Sequence, residues 1–156
     1  YSRRIIGWSM DRWISRHLVM DALGMALGTR RPHKQLIHHS DRGAQYTSED
    51  FRNKLDKHGI QCSMSGRGNC YDNAPMESFF SLLKTELVHH QRYMTRQEAR
   101  TSIFDYIEVF YNRQRIHSAI EYKAPTEYES SWWDAVSSFE ISNGPLGGRY
   151  ATTTHP

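Results

Sequence analysis

The chain has 156 residues, 24% of them charged, and a formal net charge of +3. This length suits one domain built around a single core. Its two cysteines, Cys62 and Cys70, fit neither a disulfide framework nor a zinc-ligand spacing, which favours a reducing compartment. No stretch approaches the roughly eighteen apolar residues of a membrane span, and the first residues lack the apolar core of a signal peptide. We therefore expect a cytoplasmic protein with no membrane partner.

The charge is unevenly distributed along the chain. Residues 1–120 hold 18 Lys and Arg against 12 Asp and Glu, whereas residues 121–156 hold 2 against 5. A basic body of this kind suits a polyanion such as DNA, because neutralised phosphate dominates nonspecific affinity. A solvated surface without a partner explains the charge alone equally well.

The first third of the chain predicts a strand, a helix and a second strand. The opening RRIIGWSM is rich in Ile and Trp and predicts the first strand, and a helix follows from about Asp11 to Thr29. Residues 35–39 predict a short buried strand, so that Asp41 follows its carboxyl end. The apolar positions of the helix recur at helical spacing and are Ile14, Leu18, Ala22, Met25 and Ala26.

The middle of the chain continues the alternation of helices and strands. Thr47 and Asp50 stand in capping-box spacing and Gly59 marks the end of the helix that follows them. The stretch IQCSMS predicts a strand, and GRGNCYD predicts a flexible loop. Alternating strands and helices are typical of a mainly parallel sheet flanked by helices.

Two further helices are predicted in the second half. In NAPMESFFSLLKTELV, Asn73 is the natural cap, and Glu77 and Lys84 lie seven positions apart and so share a face. Thr95 and Glu98 form a second capping-box pair. One apolar stripe is expected from Met76, Phe79, Phe80, Leu83 and Leu87, and inward positions on the last helix from Ile103, Ile107 and Phe110.

After about Ser130 the periodicity disappears, and Gly, Pro, Ser and Thr dominate. We therefore expect a domain over residues 1–129 and a mostly disordered tail over 130–156.

Two carboxylates raise the possibility of metal chemistry. Asp41 is expected at a strand end and Glu77 on a helix, with 35 residues between them. Carboxylate oxygens suit Mg²⁺, and two such ions can stabilise both the attacking and the leaving oxygen of a phosphodiester. A third carboxylate would be needed to bridge two ions. Taken alone, Asp41 beside Arg42 and Gly43 is more often a turn residue.

Three segments carry a resemblance to a known family: HHSDRGAQYTSEDF, MSGRGNCYDNAPMESFFSLLKTEL and YIEVFYNRQRIHSAIEYKAPTEY. Together they resemble the catalytic core of bacterial insertion-sequence transposases in the retroviral integrase superfamily, over residues 1–128. The resemblance implies a ribonuclease-H-like mixed sheet flanked by helices. It also implies an Asp, Asp, Glu active site that uses two Mg²⁺ (or Mn²⁺) ions to cut and join DNA.

The resemblance assigns roles to residues of this chain. It implies that Asp41 is the second catalytic aspartate and metal ligand, that Glu77 is the catalytic glutamate and metal ligand, and that Lys84 contacts donor-end DNA. It implies DNA, both transposon ends and target, as the partner, a homo-oligomer, and a nucleoid-associated location. The further DNA-binding candidates are Arg67, Asn73, Arg113, Arg115 and His117.

The family's first two strands and first catalytic aspartate have no counterpart in this sequence, because the resemblance begins at its third strand. We therefore expect an incomplete sheet and an inactive chain. Asp11 and Asp21, the acids before Asp41, fit a helix start and a helix surface better than a replacement ligand.

Several patterns have simpler explanations. The pairs His38-His39 and His89-His90 suggest a metal site, but adjacent side chains point apart on strands and helices. Ser81 and Lys84 match S-x-x-K without the motifs that accompany it in penicillin-binding enzymes. Three rival functions stay open: a non-catalytic DNA-binding or regulatory module, a decayed transposase remnant, and a metal-dependent nuclease of the same superfamily.

Overall fold

The computed structural model describes residues 1–30, 32, 36–66 and 74–142. A π-helix, Asp105–Tyr111, directly follows the fifth α-helix, and short 3-10 helices lie at Val88–His90 and Ser118–Ile120. In chain order the α-helices and strands are α1 (Arg16–Thr29), β1 (Ile37–Ser40), α2 (Ala44–Thr47), α3 (Glu49–Lys57), β2 (Gln61–Met64), α4 (Ala74–Glu86), α5 (Arg96–Phe104) and α6 (Pro125–Ser142).

Strands β1 and β2 form a two-stranded parallel sheet. Their register runs from Ile37 opposite Gln61 to Ser40 opposite Met64. Parallel neighbours require a crossover connection, which α2 and α3 supply. The strand, helix, strand prediction is therefore confirmed for residues 36–64, with β1 displaced towards Ser40. The expectation that this strand is buried is wrong, since Ile37 is 60% exposed and only Ser40 of β1 is buried.

The predicted strand at residues 3–10 is wrong, since the structure assigns no strand there. The backbone of Ile5 is paired by a side chain instead. The Ile5 N–H donates to Asn112 Oδ1 at 2.9 Å, and Asn112 Nδ2 donates to the Ile5 carbonyl oxygen at 2.9 Å. One carboxamide thus satisfies the donor and the acceptor that a neighbouring strand would otherwise take.

One hydrophobic core lies between α1, α3 and the start of β2. Its buried members are Val19, Leu23, Phe51, Leu55 and Ile60. The predicted face of α1 is therefore shifted, and Ile14, which precedes the helix, is 82% exposed. Ser15 caps α1 by accepting a hydrogen bond from the backbone N–H of Leu18, so the helix begins later than Asp11.

A second core joins α4 to the π-helix. Its buried members are Phe79, Leu83, Tyr106, Ile107 and Tyr111, and Ile5 and Trp8 pack against it. The predicted apolar stripe on α4 is too wide, because Met76 and Phe80 are 42% and 49% exposed.

The π-helix explains a wrong inward position. The Arg115 N–H donates to the Phe110 carbonyl oxygen and the Asn112 N–H to that of Ile107, both five residues back. Each turn is therefore wider than an α-turn, which places Tyr106 and Tyr111 inward while Phe110 stays 41% exposed. A prediction based on α-helical spacing cannot anticipate this change.

The capping predictions have mixed outcomes. Thr95 Oγ1 accepts from the Glu98 N–H at 3.1 Å, and Glu98 Oε2 accepts from the Met94 N–H at 2.9 Å, which confirms that helix start. Gly59 adopts φ +67 after α3, as expected of a helix terminator. Thr47 does not cap α3, since Ser48 occupies that position and Thr47 Oγ1 donates to the Ala44 carbonyl oxygen.

Helix α6 runs through Ser142, so the expectation of disorder is wrong for residues 130–142. Residues 143–156 of the predicted tail lie outside the described residues. The domain boundary at residue 129 stays a prediction. Within the part of the chain that the structure describes, none of the helices has the length and apolar character to cross a membrane.

Candidate active site and nucleic-acid interface

Asp41 lies in the loop that follows the carboxyl end of β1. It is exposed, and its Oδ1 accepts a hydrogen bond from the Gly43 N–H at 2.8 Å. Arg42 spans to the end of the neighbouring strand, where its Nε donates to the Ser65 carbonyl oxygen at 2.9 Å. The loop is therefore fastened to both strands, and one carboxylate oxygen of Asp41 is oriented by its own backbone.

Polar side chains reinforce this end of the sheet. The ring nitrogens of His39 lie 3.0 Å from Ser63 Oγ and 3.2 Å from Ser65 Oγ. Ser65 is buried, and its backbone N–H donates to the Ser40 carbonyl oxygen at 2.9 Å. His39 thus has a structural role across the strand pair.

Glu77 and Lys84 are carried by α4. Both side chains are exposed, and neither forms a hydrogen bond or ion pair with another described residue. Phe79 and Leu83, buried in the second core, fix which side of the helix faces inward. Both charged groups are therefore available to a ligand.

The structure places the two predicted metal ligands on elements that pack into different cores. Asp41 follows β1, beside the first core, and Glu77 lies on α4 of the second core. Among the described residues, no three or more His, Cys, Asp or Glu side chains are grouped so that they could hold a metal ion. The donors thus fit Mg²⁺ in kind, as carboxylate oxygens, but their number falls short of a three-carboxylate site.

Arg115, a predicted DNA contact, is engaged inside the protein. Its Nε and Nη2 donate to both carboxylate oxygens of Glu86, at 2.7 to 3.0 Å. Tyr106 donates its hydroxyl to Glu86 Oε2 at 2.6 Å. The hydrogen bonds from Arg115 lower the pKa of Glu86 despite partial burial. Burial and then the bond to Glu86 raise the pKa of Tyr106, so the carboxylate is charged and the phenol is its neutral donor.

His117 is also an internal residue. It is 8% exposed, and its ring packs edge-on against Tyr111 with centroids 4.9 Å apart. Burial, followed by the nearby charge of Arg115, lowers the pKa of His117. This geometry favours structural roles for Arg115 and His117 over direct phosphate contacts.

Arg113 remains a candidate for DNA contact. It is exposed and makes no side-chain hydrogen bond or ion pair with another described residue. The other two predicted contacts, Arg67 and Asn73, lie outside the described residues.

Sequence reasoning missed four residues that organise this region: Glu86, Tyr106, Asn112 and Glu129. Their partners are 20 to 127 positions away in the chain, so no local spacing pointed to them. The available signal was weak: Glu86, Tyr106 and Asn112 are polar residues among the apolar or aromatic residues of predicted helices, and Glu129 lies outside any predicted helix.

Glu129 closes a separate network. It is 9% exposed and accepts hydrogen bonds from Ser2 Oγ at 2.7 Å and Arg4 Nη1 at 2.9 Å. Arg30, which follows α1, pairs with the same carboxylate. Glu129 therefore ties α6 to the amino-terminal segment and to the end of α1.

Comparisons with known proteins decide the family. Two family models, both described as Integrase core domain, match residues 1–70 and 77–132. Over 129 residues the chain is 46% identical to the transposase for insertion sequence element IS904 of Lactococcus lactis subsp. lactis (strain IL1403). The chain belongs to the insertion-sequence transposases with an integrase core. The resemblance stated from the three segments is thereby confirmed.

A second relative gives the same assignment. The chain is 44% identical over 130 residues to transposase InsF for insertion sequence IS3A of Escherichia coli (strain K12). The matches cover 83% of this chain in both cases, but 51% of the IS904 transposase and 45% of InsF. This integrase-core chain thus spans about half the length of the curated relatives it matches.

The fold has a solved counterpart. A chain in the cryo-EM structure of the simian T-cell lymphotropic virus intasome in complex with PP2A regulatory subunit B56 gamma aligns with a TM-score of 0.57. The alignment covers 93% of this chain and 48% of that chain at 12% identity. The neighbour and the small sheet flanked by helices fit a ribonuclease-H-like α/β fold.

Proposed function

We propose that this chain is part of the catalytic core of a DNA transposase that carries out metal-dependent strand cleavage and strand transfer. The observation that carries the proposal is the 46% identity to the IS904 transposase over 83% of the chain. Asp41 and Glu77, both exposed carboxylates, are the proposed metal ligands. A third carboxylate has to come from outside the described residues.

Each proposed residue has a task that its surroundings support. The Gly43 N–H orients one oxygen of Asp41 and leaves the other available as a ligand. Glu77 stands in the first turn of α4, where negative charge is favourable. When bound, Mg²⁺ or Mn²⁺ supplies Lewis-acid stabilisation of phosphodiester oxygens. Lys84 and Arg113 neutralise DNA phosphates, and Arg67 and Asn73 remain predicted contacts.

A full-length chimera tests the enzyme proposal, with this chain replacing the matching half of the Lactococcus lactis IS904 transposase. The assay follows the joining of labelled element ends to plasmid DNA with Mg²⁺ or Mn²⁺. We expect Glu77→Gln to abolish joining while DNA retention persists, because a ligand is lost without loss of positive charge. Glu49→Gln, which neutralises an exposed carboxylate on α3, is the matched control. Joining that is unchanged by Glu77→Gln contradicts the assignment.

A second candidate function is a non-catalytic DNA-binding or regulatory module. It is favoured by the incomplete ligand set among the described residues, together with the exposed cations Lys84 and Arg113. DNA retention by this chain without any joining by the chimera would support it. Loss of all retention at low salt would leave the remnant hypothesis. The homo-oligomer stays a prediction.

A further inference from the structure

The last turn of α4 carries both a proposed DNA contact and an internal anchor. Lys84 and Glu86 both lie in this turn, since the helix ends at Glu86. Two positions correspond to about 200° around an α-helix, so the two side chains leave on nearly opposite sides. Glu86 lies about 60° from the buried Leu83 and reaches Arg115 and Tyr106, whereas Lys84 lies about 100° from Leu83 and contacts no other described side chain by a hydrogen bond or ion pair.

Helix ends fray unless a tertiary contact holds them. Here Glu86 is held by the guanidinium of Arg115, through Nε and Nη2, and by the hydroxyl of Tyr106. The side chains of Arg115 and Glu86 are 20% and 30% exposed, so the pair is partly shielded from water. A bidentate guanidinium–carboxylate pair also fixes direction, which a lysine could not do equally well.

The anchor is itself rigidly supported. Tyr106 belongs to the π-helix and is 6% exposed, packed within the second core beside Leu83. Arg115 is positioned by the backbone hydrogen bond from its N–H to the Phe110 carbonyl oxygen at 2.8 Å, which closes a π-turn. The widened turns of the π-helix thus direct Tyr106 and Arg115 to the same carboxylate.

We infer that Glu86, held by Arg115 and Tyr106, is a positioning residue that fixes the direction in which Lys84 leaves α4 towards DNA phosphate. The inference rests on the proposed function, because Lys84 has a task only if the chain binds DNA. Under this inference Arg115 is not itself a DNA contact; it holds Glu86, which orients the DNA contact Lys84.

The test uses the 156-residue chain and a short fluorescein-labelled DNA duplex, with anisotropy titrations across a salt series. Each phosphate contact makes the slope of log affinity against log salt more negative by about 0.9 on B-DNA. Lys84→Gln should therefore make the slope shallower by about 0.9 in the otherwise unchanged chain. In a Glu86→Gln background the same substitution should change the slope by less than roughly half as much, since coupled residues are non-additive.

Tyr106→Phe is a milder variant that weakens the hold on Glu86. It keeps the test valid if Glu86→Gln does not fold. It removes the hydrogen bond to Glu86 and leaves the aromatic ring in the core. It should reduce the effect of Lys84→Gln in the same direction as Glu86→Gln does. Glu49→Gln is the charge-matched control and should leave the Lys84 effect intact. Circular-dichroism melts establish that every variant is folded at the assay temperature.

The outcomes separate the inference from the proposed function. If Lys84→Gln has its full effect in both the Glu86→Gln and Tyr106→Phe backgrounds, the positioning role is overturned and DNA binding by Lys84 stands. If Glu86→Gln strengthens DNA binding and Arg115→Gln makes the salt slope shallower by about 0.9, Arg115 is a direct contact and the inference is wrong. If Lys84→Gln has no effect in any background, the proposed DNA contact and the inference both fail.

Discussion

Replacing Gly7 by alanine should strongly destabilise the chain, because Gly7 lies directly against α1. A Cβ at residue 7 would lie 2.7 Å from the Ala26 backbone nitrogen and 2.8 Å from Ala26 Cβ, and would also overlap the Ala22 carbonyl oxygen. Two of these three atoms belong to the backbone of a helix, so no side-chain rotation can relieve the contact. The amino-terminal segment or α1 would have to move as a whole.

The expected loss in the free energy of unfolding follows from the kind of contact that the new Cβ would make. Overpacking costs about 1–3 kcal/mol, and clashes with backbone atoms favour the upper end, so we expect a loss of about 3 kcal/mol. Gly28→Ala is the matched control, since it lies in α1 with no atom within 4 Å of its added Cβ. Removing a helical glycine should stabilise the chain by about 0.5–1 kcal/mol. Replacing glycine by alanine should thus lower the free energy of unfolding at residue 7 and raise it at residue 28.

Urea denaturation followed by circular dichroism measures both changes. With an m-value of about 1–3 kcal/mol/M, a loss of 3 kcal/mol lowers the midpoint by about 1–3 M. The m-value should be unchanged if the variant still unfolds in one transition. A loss below about 1 kcal/mol for Gly7→Ala, with Gly28→Ala stabilising as expected, would refute the close packing of residue 7 on α1.

Three further predictions concern the buried polar groups. Asn112→Ala should cost about 2–4 kcal/mol in urea unfolding, because the N–H and carbonyl of Ile5 both lose their partner; a loss under about 1 kcal/mol would contradict that pairing. Burial, and then the nearby positive charge of Arg115, lower the pKa of His117 below its ordinary value of 6.5. Near pH 6.5 and below, the unfolded chain therefore binds more protons than the folded chain. The free energy of unfolding should fall as the pH drops below about 6.5. His117→Gln should make the urea midpoints less dependent on pH in that range. Some dependence should remain, because burial lowers the pKa of His38 as well. Glu129→Gln should cost about 1.5–3 kcal/mol, measured at neutral pH, since two arginines lose a charged acceptor; no change would show that the network contributes nothing to stability.

The Glu86 and Glu129 networks have the same consequence for the positive charge available to DNA. Each carboxylate engages arginine that the sequence alone would assign to a basic surface: Arg115 at Glu86, and Arg4 with Arg30 at Glu129. The net charge of +3 therefore does not reveal which cations are free to contact DNA and which are paired inside the protein. Within the described residues, Lys84 and Arg113 keep their charge unpaired and are the better candidates for phosphate contact.

Local chemistry made parts of the fold predictable. The Thr95 and Glu98 pair acts within four residues, and Gly59 ends α3 through its own positive φ. The β1, α3, β2 unit followed from apolar periodicity and turn residues. Family membership followed from three segments whose residues are adjacent in sequence. Each of these signals is short-range, so the order of amino acids suffices to detect it.

Only the tertiary structure revealed the contacts between residues that are far apart in the chain. Residues 3–10 have the composition of a strand, yet Asn112, 107 positions away in the chain, supplies the hydrogen bonds of the Ile5 backbone. The π-helix turns Tyr106 inward and Phe110 outward, and Arg115 meets Glu86 across 29 positions. The sequence by itself determined the family, the candidate carboxylates and the local caps. Only the folded chain decided which charged groups are engaged internally, because that depends on partners brought together by packing and leaves no periodic trace in the sequence.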